Sequence, residues 1–443
     1  ATGTIASTWI STTSGFWDVA ANWANSLIPG EANDVIIDQA GDLTITVRAT
    51  APVSSFRVNS LYSNENITIA GSTLTLIDDS VINGRLTMSG GTLNIGTQLD
   101  TGSLAISGGT ISGGRLFAAG GSNVMTGGTL NSLQMMIGAQ FNASGGTLAN
   151  VTLSKLGSGI GAGQVLVGAN GDLRVVGALT LDNADITLAS DGSSTFLRSI
   201  TGPWSIGGNG SILFGGSHNA VRANNYLGYG SGAYSLSIGS GVTVAGANGG
   251  YIYFGNNGVN AGTISANTAG KEISLNSWAT TDTWTNSGTV RANGGILSTN
   301  DTWSSTGTLQ LDSGILFLGG SFNTASFNTL VRPADADRGS LNLVGTLNNA
   351  NSTLLLDGST GTLAFGGNIS SGTVRINNAN GGALNTGYAG FSGSSFGGSN
   401  TATLTNVTLG NIANVADSGH LTIANNGDLR VVGALTLDNA DIT

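Results

Sequence analysis

Any catalysis by this chain would have to be built from very few reagents. In 443 residues there are three glutamates (Glu31, Glu65, Glu272), two lysines (Lys155, Lys271), two histidines (His218, His420) and no cysteine. Glycoside hydrolysis needs two carboxylates facing across the scissile bond, and aspartates scattered at turns single out no such pair. Lyase chemistry needs a base together with cations or a metal to hold the anion it creates. The densest ionic cluster is Arg332-Pro333-Ala334-Asp335-Ala336-Asp337-Arg338. Asp335 and Asp337 alternate there and could share one strand face, as a ligand or cation site, against the reading that the segment is a solvated loop. Asp78-Asp79 reads as a plain turn. Neither histidine has a carboxylate or second histidine at metal-ligand spacing, so both read as surface polar residues. The glycine runs are not closed by Gly-Lys-Ser/Thr and do not cradle phosphate. Asn170-Gly171-Asp172 and Asn426-Gly427-Asp428 do not recur at nine-residue intervals, which rules out a calcium-binding roll. We therefore assign no catalytic residue, no metal and no cofactor.

Aromatic residues offer a different chemistry. Tyr226, Tyr229, Tyr234, Tyr251 and Tyr253 fall in one short stretch and could form an exposed platform for sugar rings, which stack on aromatic faces. The competing reading, favoured from sequence, packs these rings inside a wider coil or under a loop. Trp284 and Trp303 lie 19 residues apart in matching Asp-Thr-Trp contexts and are expected to stack, with their direction left open.

Charge and hydropathy narrow the partners. The formal charge is −10 with no basic run, which argues against nucleic acid. No stretch approaches the roughly 18 apolar residues that a membrane-spanning helix requires. Ala1 to Ile10 lack the basic and apolar regions of a signal peptide, so an export signal is expected to be removed or to lie elsewhere.

The framework that would position these residues is strand, not helix. Glu and Lys are nearly absent while Gly (72 residues), Ser, Thr and Asn dominate the polar positions. Gly90-Gly91-Thr92-Leu93, Gly108-Gly109-Thr110-Ile111, Gly127-Gly128-Thr129-Leu130 and Gly145-Gly146-Thr147-Leu148 recur with their threonines 18, 19 and 18 residues apart. Between them apolar residues alternate, as in Leu86-Thr87-Met88 and Leu104-Ala105-Ile106, the mark of strands burying one face. A unit so short cannot bury its apolar face alone and must stack on its neighbours. The expectation is an all-β parallel β-helix (β-solenoid) of 18–19-residue coils with a triangular cross-section. At ~4.8 Å per coil, roughly 24 coils would span about 115 Å. A longer period overlies the short one, because 147–187 returns at 403–443, and Asn170 to Thr187 is repeated without change as Asn426 to Thr443, an offset of 256. We expect residues 1–50, with Trp9, Trp17 and Trp23, to form a cap or junction leading into the first coils. Residues 51–443 would be a continuous solenoid whose second module is cut short within a longer parent.

The stacked coils with Gly-Gly-Thr-Leu corners resemble the passenger regions of bacterial autotransporters and filamentous-haemagglutinin-type adhesins. The opening, Trp9 through Gly15-Phe16-Trp17-Asp18, Asn22-Trp23, Pro29-Gly30 and Asn33-Asp34-Val35-Ile36-Ile37, is similar to the start of many large bacterial surface proteins of this kind. The resemblance covers the chain as a style of repeat. It implies a right-handed helix and an extracellular, cell-surface location. The expected role is a non-enzymatic structural or adhesive rod or fibre. Its partners would be copies of itself in a filament or sheath, surface glycans, or a host or neighbouring cell surface. The alternative is a carbohydrate-binding or polysaccharide-degrading β-helix built on the tyrosines and the Asp335/Asp337 cluster.

Overall fold

A computed structural model describes residues 5–50, 55–230, 234–279, 281–333, 338–413, 415–416 and 418–443. The chain is an all-β solenoid of parallel stacked coils, about 18 turns among the described residues. It forms two compact units, residues 1–189 with 194–211, and residues 190–193 with 212–443.

In the first unit the repeat becomes register. Thr73 pairs with Thr92, Thr92 with Thr110, Thr110 with Thr129 and Thr129 with Thr147, each one coil on. The neighbouring Leu74, Leu93, Ile111, Leu130 and Leu148 stack inside, none more than 2 % exposed. Each such side chain contributes about 1.5–3 kcal/mol on burial. Three strands make a turn: Arg115–Ala118, Asn123–Met125 and Thr129–Asn131 pair with Gln134–Ile137, Phe141–Ala143 and Thr147–Lys155. The paired glycines are the corners. Gly91 and Gly109 take φ of +65° and +72°, and a Cβ on either would lie 2.2 and 2.6 Å from a carbonyl oxygen of the coil before. Only glycine satisfies both conditions.

The 18–19-residue period is local, which is why there are fewer turns than the expected 24. Ile5 pairs with Asn33 and Thr147 with Arg174, coils of 28 and 27 residues. In the second unit Thr289 pairs with Thr308, a coil of 19, yet Asn368 pairs with Thr403, a coil of 35. Stacking constrains the strand registers alone, so a corner can lengthen into a surface loop at little cost.

Coil stacking already begins within residues 1–50, where Ile5–Thr8 pairs with Asn33–Ile37. There Trp9, Trp17 and Trp23 are fully buried, with Trp23 edge-on to Trp9 at 5.1 Å and to Trp17 at 4.9 Å. Trp23 Nε1 donates to the Trp17 carbonyl at 2.8 Å. Beside them Arg48 grips Asp18 with two hydrogen bonds of 3.0 Å and lies 3.6 Å from the Phe16 ring centre. The bonds from Arg48, opposed by burial, hold the Asp18 carboxyl below its ordinary value of 3.8. A carboxyl depressed in the folded state stabilises above its unfolded pKa, and that contribution fades as pH falls through the folded one. Asp18→Asn should therefore flatten the loss of first-unit stability below about pH 4, read by acid titration of tryptophan fluorescence. An unchanged acid profile would remove Asp18 from that account.

In the second unit the tryptophan pair points inward. Trp284 and Trp303 are 1 % and 3 % exposed and stack at 5.8 Å, 23° between planes. Phe254 extends the column on one side at 4.9 Å and Phe322 on the other at 4.5 Å. An amide ladder runs through the same coils, with Asn260 Nδ2 donating to Asn286 Oδ1 (2.8 Å) and Asn286 Nδ2 to Ser305 Oγ (3.1 Å).

At matching positions the two copies of the duplicated module take the same backbone conformation. Asn150 and Asn406 have φ of +52° and +53°, and Gly177 and Gly433 of +72° and +74°. Each asparagine accepts a 3.1 Å bond through Oδ1, from the amide of Ala178 or of Ala434.

Candidate functional site

Of the two packings expected for the aromatic cluster, inside a wider coil or under a loop, the first does not occur: the cluster lies on the outer face of the second unit. In Gly250–Tyr253 the inward side chain is Ile252, fully buried, so Tyr251 and Tyr253 on either side must face outward. One coil before, Leu227 is inward and Tyr226 outward, and register places Tyr226 against Tyr251. The two rings stack at 5.0 Å with 9° between planes. Tyr229 closes on Tyr226 at 5.1 Å and edge-on to Tyr253 at 5.0 Å. Trp278 completes the patch, 5.0 Å from Tyr229 and 42 % exposed. The four tyrosines are half-buried. Burial, reinforced by the neighbouring phenols and Asp301, pushes the Tyr253 hydroxyl up to about 12, so it stays a neutral donor at physiological pH. Tyr234 is half-buried, with its backbone carbonyl against Gly255.

Two carboxylates hold the turn that carries Trp278. Asp301 accepts from the Ser277 amide at 2.5 Å and Asp282 from the Ala279 amide at 3.1 Å. Burial, with the nearby Asp282, raises the Asp301 carboxyl above its ordinary value, against the lowering pull of the Ser277 bond. Both carboxylates bond backbone amides of the turn, an arrangement that orients Trp278 in advance of any ligand.

Polar groups continue the patch along the sheet. Tyr251 pairs with Ser274 and Tyr253 with Asn276 one coil on. Asn300 Nδ2 reaches Asn276 Oδ1 at 3.1 Å and Ser274 Oγ at 3.2 Å. The Arg222 guanidinium lies 5.4 Å from the Tyr251 ring centre. On its other side Arg222 Nε is 3.6 Å from Glu272, a carboxylate with no exposed surface. Glu272 is outward-facing too, since Ile273 beside it points inside, and Ser395 of a distant loop covers it, donating its amide to Oε2 at 2.8 Å.

The other expected cluster rests on two residues of which the structure gives no description. Asp335 and Asp337 lie outside the described residues. The flanking arginines serve backbone carbonyls: Arg332 donates to Arg338 (3.2 Å), Gly339 (3.0 Å) and Thr360, and Arg338 to Gly358 (2.5 Å). Burial, and the adjacent Arg338, push the Arg332 guanidinium down to about 10. His420 faces Asp441 one coil on. No group of three or more metal-ligating side chains occurs among the described residues.

Tyr251-Ile252-Tyr253 carried a legible signal, because period two puts both tyrosines opposite a core isoleucine. Trp278, Arg222 and Glu272 carried none, since each reaches the patch through a turn or a neighbouring coil. Comparison with protein-family models, with curated proteins and with solved structures gave no match to this chain.

Proposed function

We propose that this chain is a non-enzymatic structural and adhesive element of a bacterial cell surface, working outside the cell. The observation that supports this most is the use of polar side chains along the stack. In the first unit Ser112 Oγ donates to Asn94 Oδ1 and Asn94 Nδ2 to Thr75 Oγ1. In the second the ladder runs from Asn260 through Asn286 to Ser305. Side chains bonded coil to coil make a stiff, protease-resistant support, and duplicating a module lengthens it without new chemistry. The resemblance to autotransporter passengers and haemagglutinin-type adhesins points the same way.

A second reading, carbohydrate binding, is favoured by one feature, the outward patch of Tyr226, Tyr229, Tyr251, Tyr253 and Trp278. It is compatible with the first, since an adhesive element needs a contact surface and surface glycans supply pyranose faces for aromatic rings. Antibodies raised against the chain should label intact producing cells, and immunogold microscopy should place the label outside the envelope on extended structures. Labelling that requires permeabilised cells would sink the surface assignment.

A further inference from the structure

The patch ends at a strap. Residues 387–400 leave the solenoid as a glycine- and serine-rich loop closed by Tyr388 and Ser399, whose amides and carbonyls pair at 2.8 and 3.2 Å. Its far end returns to residues that lie 97 to 173 positions earlier in the chain. Ser395 Oγ lies 3.0 Å from Arg222 Nη1, 3.1 Å from Ser274 Oγ and 3.3 Å from Ser298 Oγ. Its amide is the one bonded to Glu272, and Ser298 Oγ also reaches that carboxylate, at 2.5 Å.

Resting on the carbohydrate reading above, we propose that patch and covered cluster are two halves of one site for a neutral polysaccharide, in which Ser395 stands in for a sugar hydroxyl until ligand displaces the strap. Three observations carry this. First, the cluster belongs to the outer sheet face: Glu272, Ser274 and Ser298 alternate with inward Ile273, Leu275 and Leu297, so the strap is what covers them. An outer face covered only for stability would be served as well by apolar residues, since burying a carboxylate and a guanidinium carries a desolvation cost. Phe317, one coil further along the same outer row, is such a residue, packed on the strap's Phe396 at 5.6 Å. Second, the cover is shallow, because no residue of 387–400 is fully buried. Phe396 and Tyr388 on Phe317 are its main apolar anchors. Third, the halves adjoin. Ser274 is the register partner of Tyr251, and Arg222 touches both the Tyr251 ring and Ser395.

The chemistry selects the ligand. A polysaccharide laid along the patch, with one sugar against the exposed Trp278 ring and the next units over Tyr253 and Tyr251, would direct hydroxyls of its far unit at Glu272, Ser274 and Arg222. Glu272, acceptor-only when ionised, suits two adjacent hydroxyls, and Arg222, already paired with it, is not free to take a uronate. A closed strap lowers apparent affinity by the fraction of molecules in which it is open.

The test is affinity electrophoresis of the whole chain through gels holding neutral polysaccharides (mixed-linkage β-glucan, xylan, mannan, dextran) or acidic polygalacturonate. Loosening the cover with Ser395→Gly or Phe396→Ala should raise affinity for a neutral polymer about tenfold. Glu272→Gln in the Phe396→Ala background should reverse that gain, and polygalacturonate should retard none of them. Hydrogen exchange on the unaltered chain gives an independent reading, with faster exchange in 388–399 when the polymer is added. If loosening the strap leaves binding unchanged or weaker while Trp278→Ala abolishes it, the gate is wrong and the patch stands. If no neutral polymer retards the parent or the loosened variants, with their folds verified by circular dichroism, both the site and the carbohydrate reading fall.

Discussion

Trp303→Ala is expected to destabilise the second unit by about 3–5 kcal/mol, the range for removing a large aromatic from a packed core. The ring is 3 % exposed, sits between Trp284 and Phe322, and donates through Nε1 to the Gly319 carbonyl at 2.9 Å. Neighbouring coils cannot collapse into the vacancy, because their spacing is set by the backbone ladder. Trp303→Phe keeps the stacking and loses the hydrogen bond, and should cost about 1 kcal/mol for that bond. Because long repeat arrays need not unfold in one step, the measurement is hydrogen exchange at the paired strands Thr283–Asn286 and Thr302–Ser305. Protection should fall most there and recover with distance along the stack. A loss below about 1 kcal/mol for the alanine variant would mean the ring column carries no special weight.

The second large effect is expected at Gly320. Its φ of +65° already disfavours any side chain, and a Cβ would sit 1.8 Å from the Asp301 carbonyl oxygen and 2.6 Å from the Asp301 amide nitrogen. Those are backbone atoms of the preceding coil and cannot rotate away. A left-handed non-glycine residue alone costs of order 1–3 kcal/mol, and the clash adds to that. Gly320→Ala should therefore lower stability by more than about 3 kcal/mol. It should also disturb the aromatic patch, since Asp301 is the residue that holds the Ser277 amide behind Trp278. Gly168 is the control: a Cβ there meets no atom within 4 Å, so alanine should be neutral or stabilise by up to about 1 kcal/mol. Urea titration of the three proteins distinguishes these outcomes. If Gly320→Ala is as stable as the Gly168 control, the coils are not as close at that corner as described.

Both predictions rest on positions whose importance could be read only in part from composition and spacing. Asp282-Thr283-Trp284 and Asp301-Thr302-Trp303 announced a stacked pair at one-coil spacing. That the rings point inward, and that Phe254 and Phe322 lengthen the column, followed only from register. Gly320 stands in no Gly-Gly-Thr-Leu corner, and what forbids a side chain there is the carbonyl of a residue on another coil.

The same division holds for the candidate site. Tyr251-Ile252-Tyr253 states in its alternation that the tyrosines share the face opposite a core residue, yet alternation is silent on what covers that face. Trp278 arrives through a turn held by two carboxylates, and Glu272 is buried by a strap whose glycines and serines form no periodic pattern. Such contacts depend on where a surface loop comes to rest, which no local propensity encodes.

What was legible without coordinates was the short-range order. Gly-Gly corners, threonines in register and apolar residues at period two are local conditions, each satisfied within one coil and its neighbour, and they sufficed for a stacked all-β solenoid. Coil length was not legible, because stacking constrains strands and leaves corners free, so coils of 18 and 35 residues share one architecture. Burial was not legible either. Tyr251 and Glu272 both lie on the outer face by alternation, yet Tyr251 is half-buried while Glu272 has no exposed surface. Alternation assigns a side chain to the outer face, and only the place where a surface loop comes to rest decides whether that face meets protein or water.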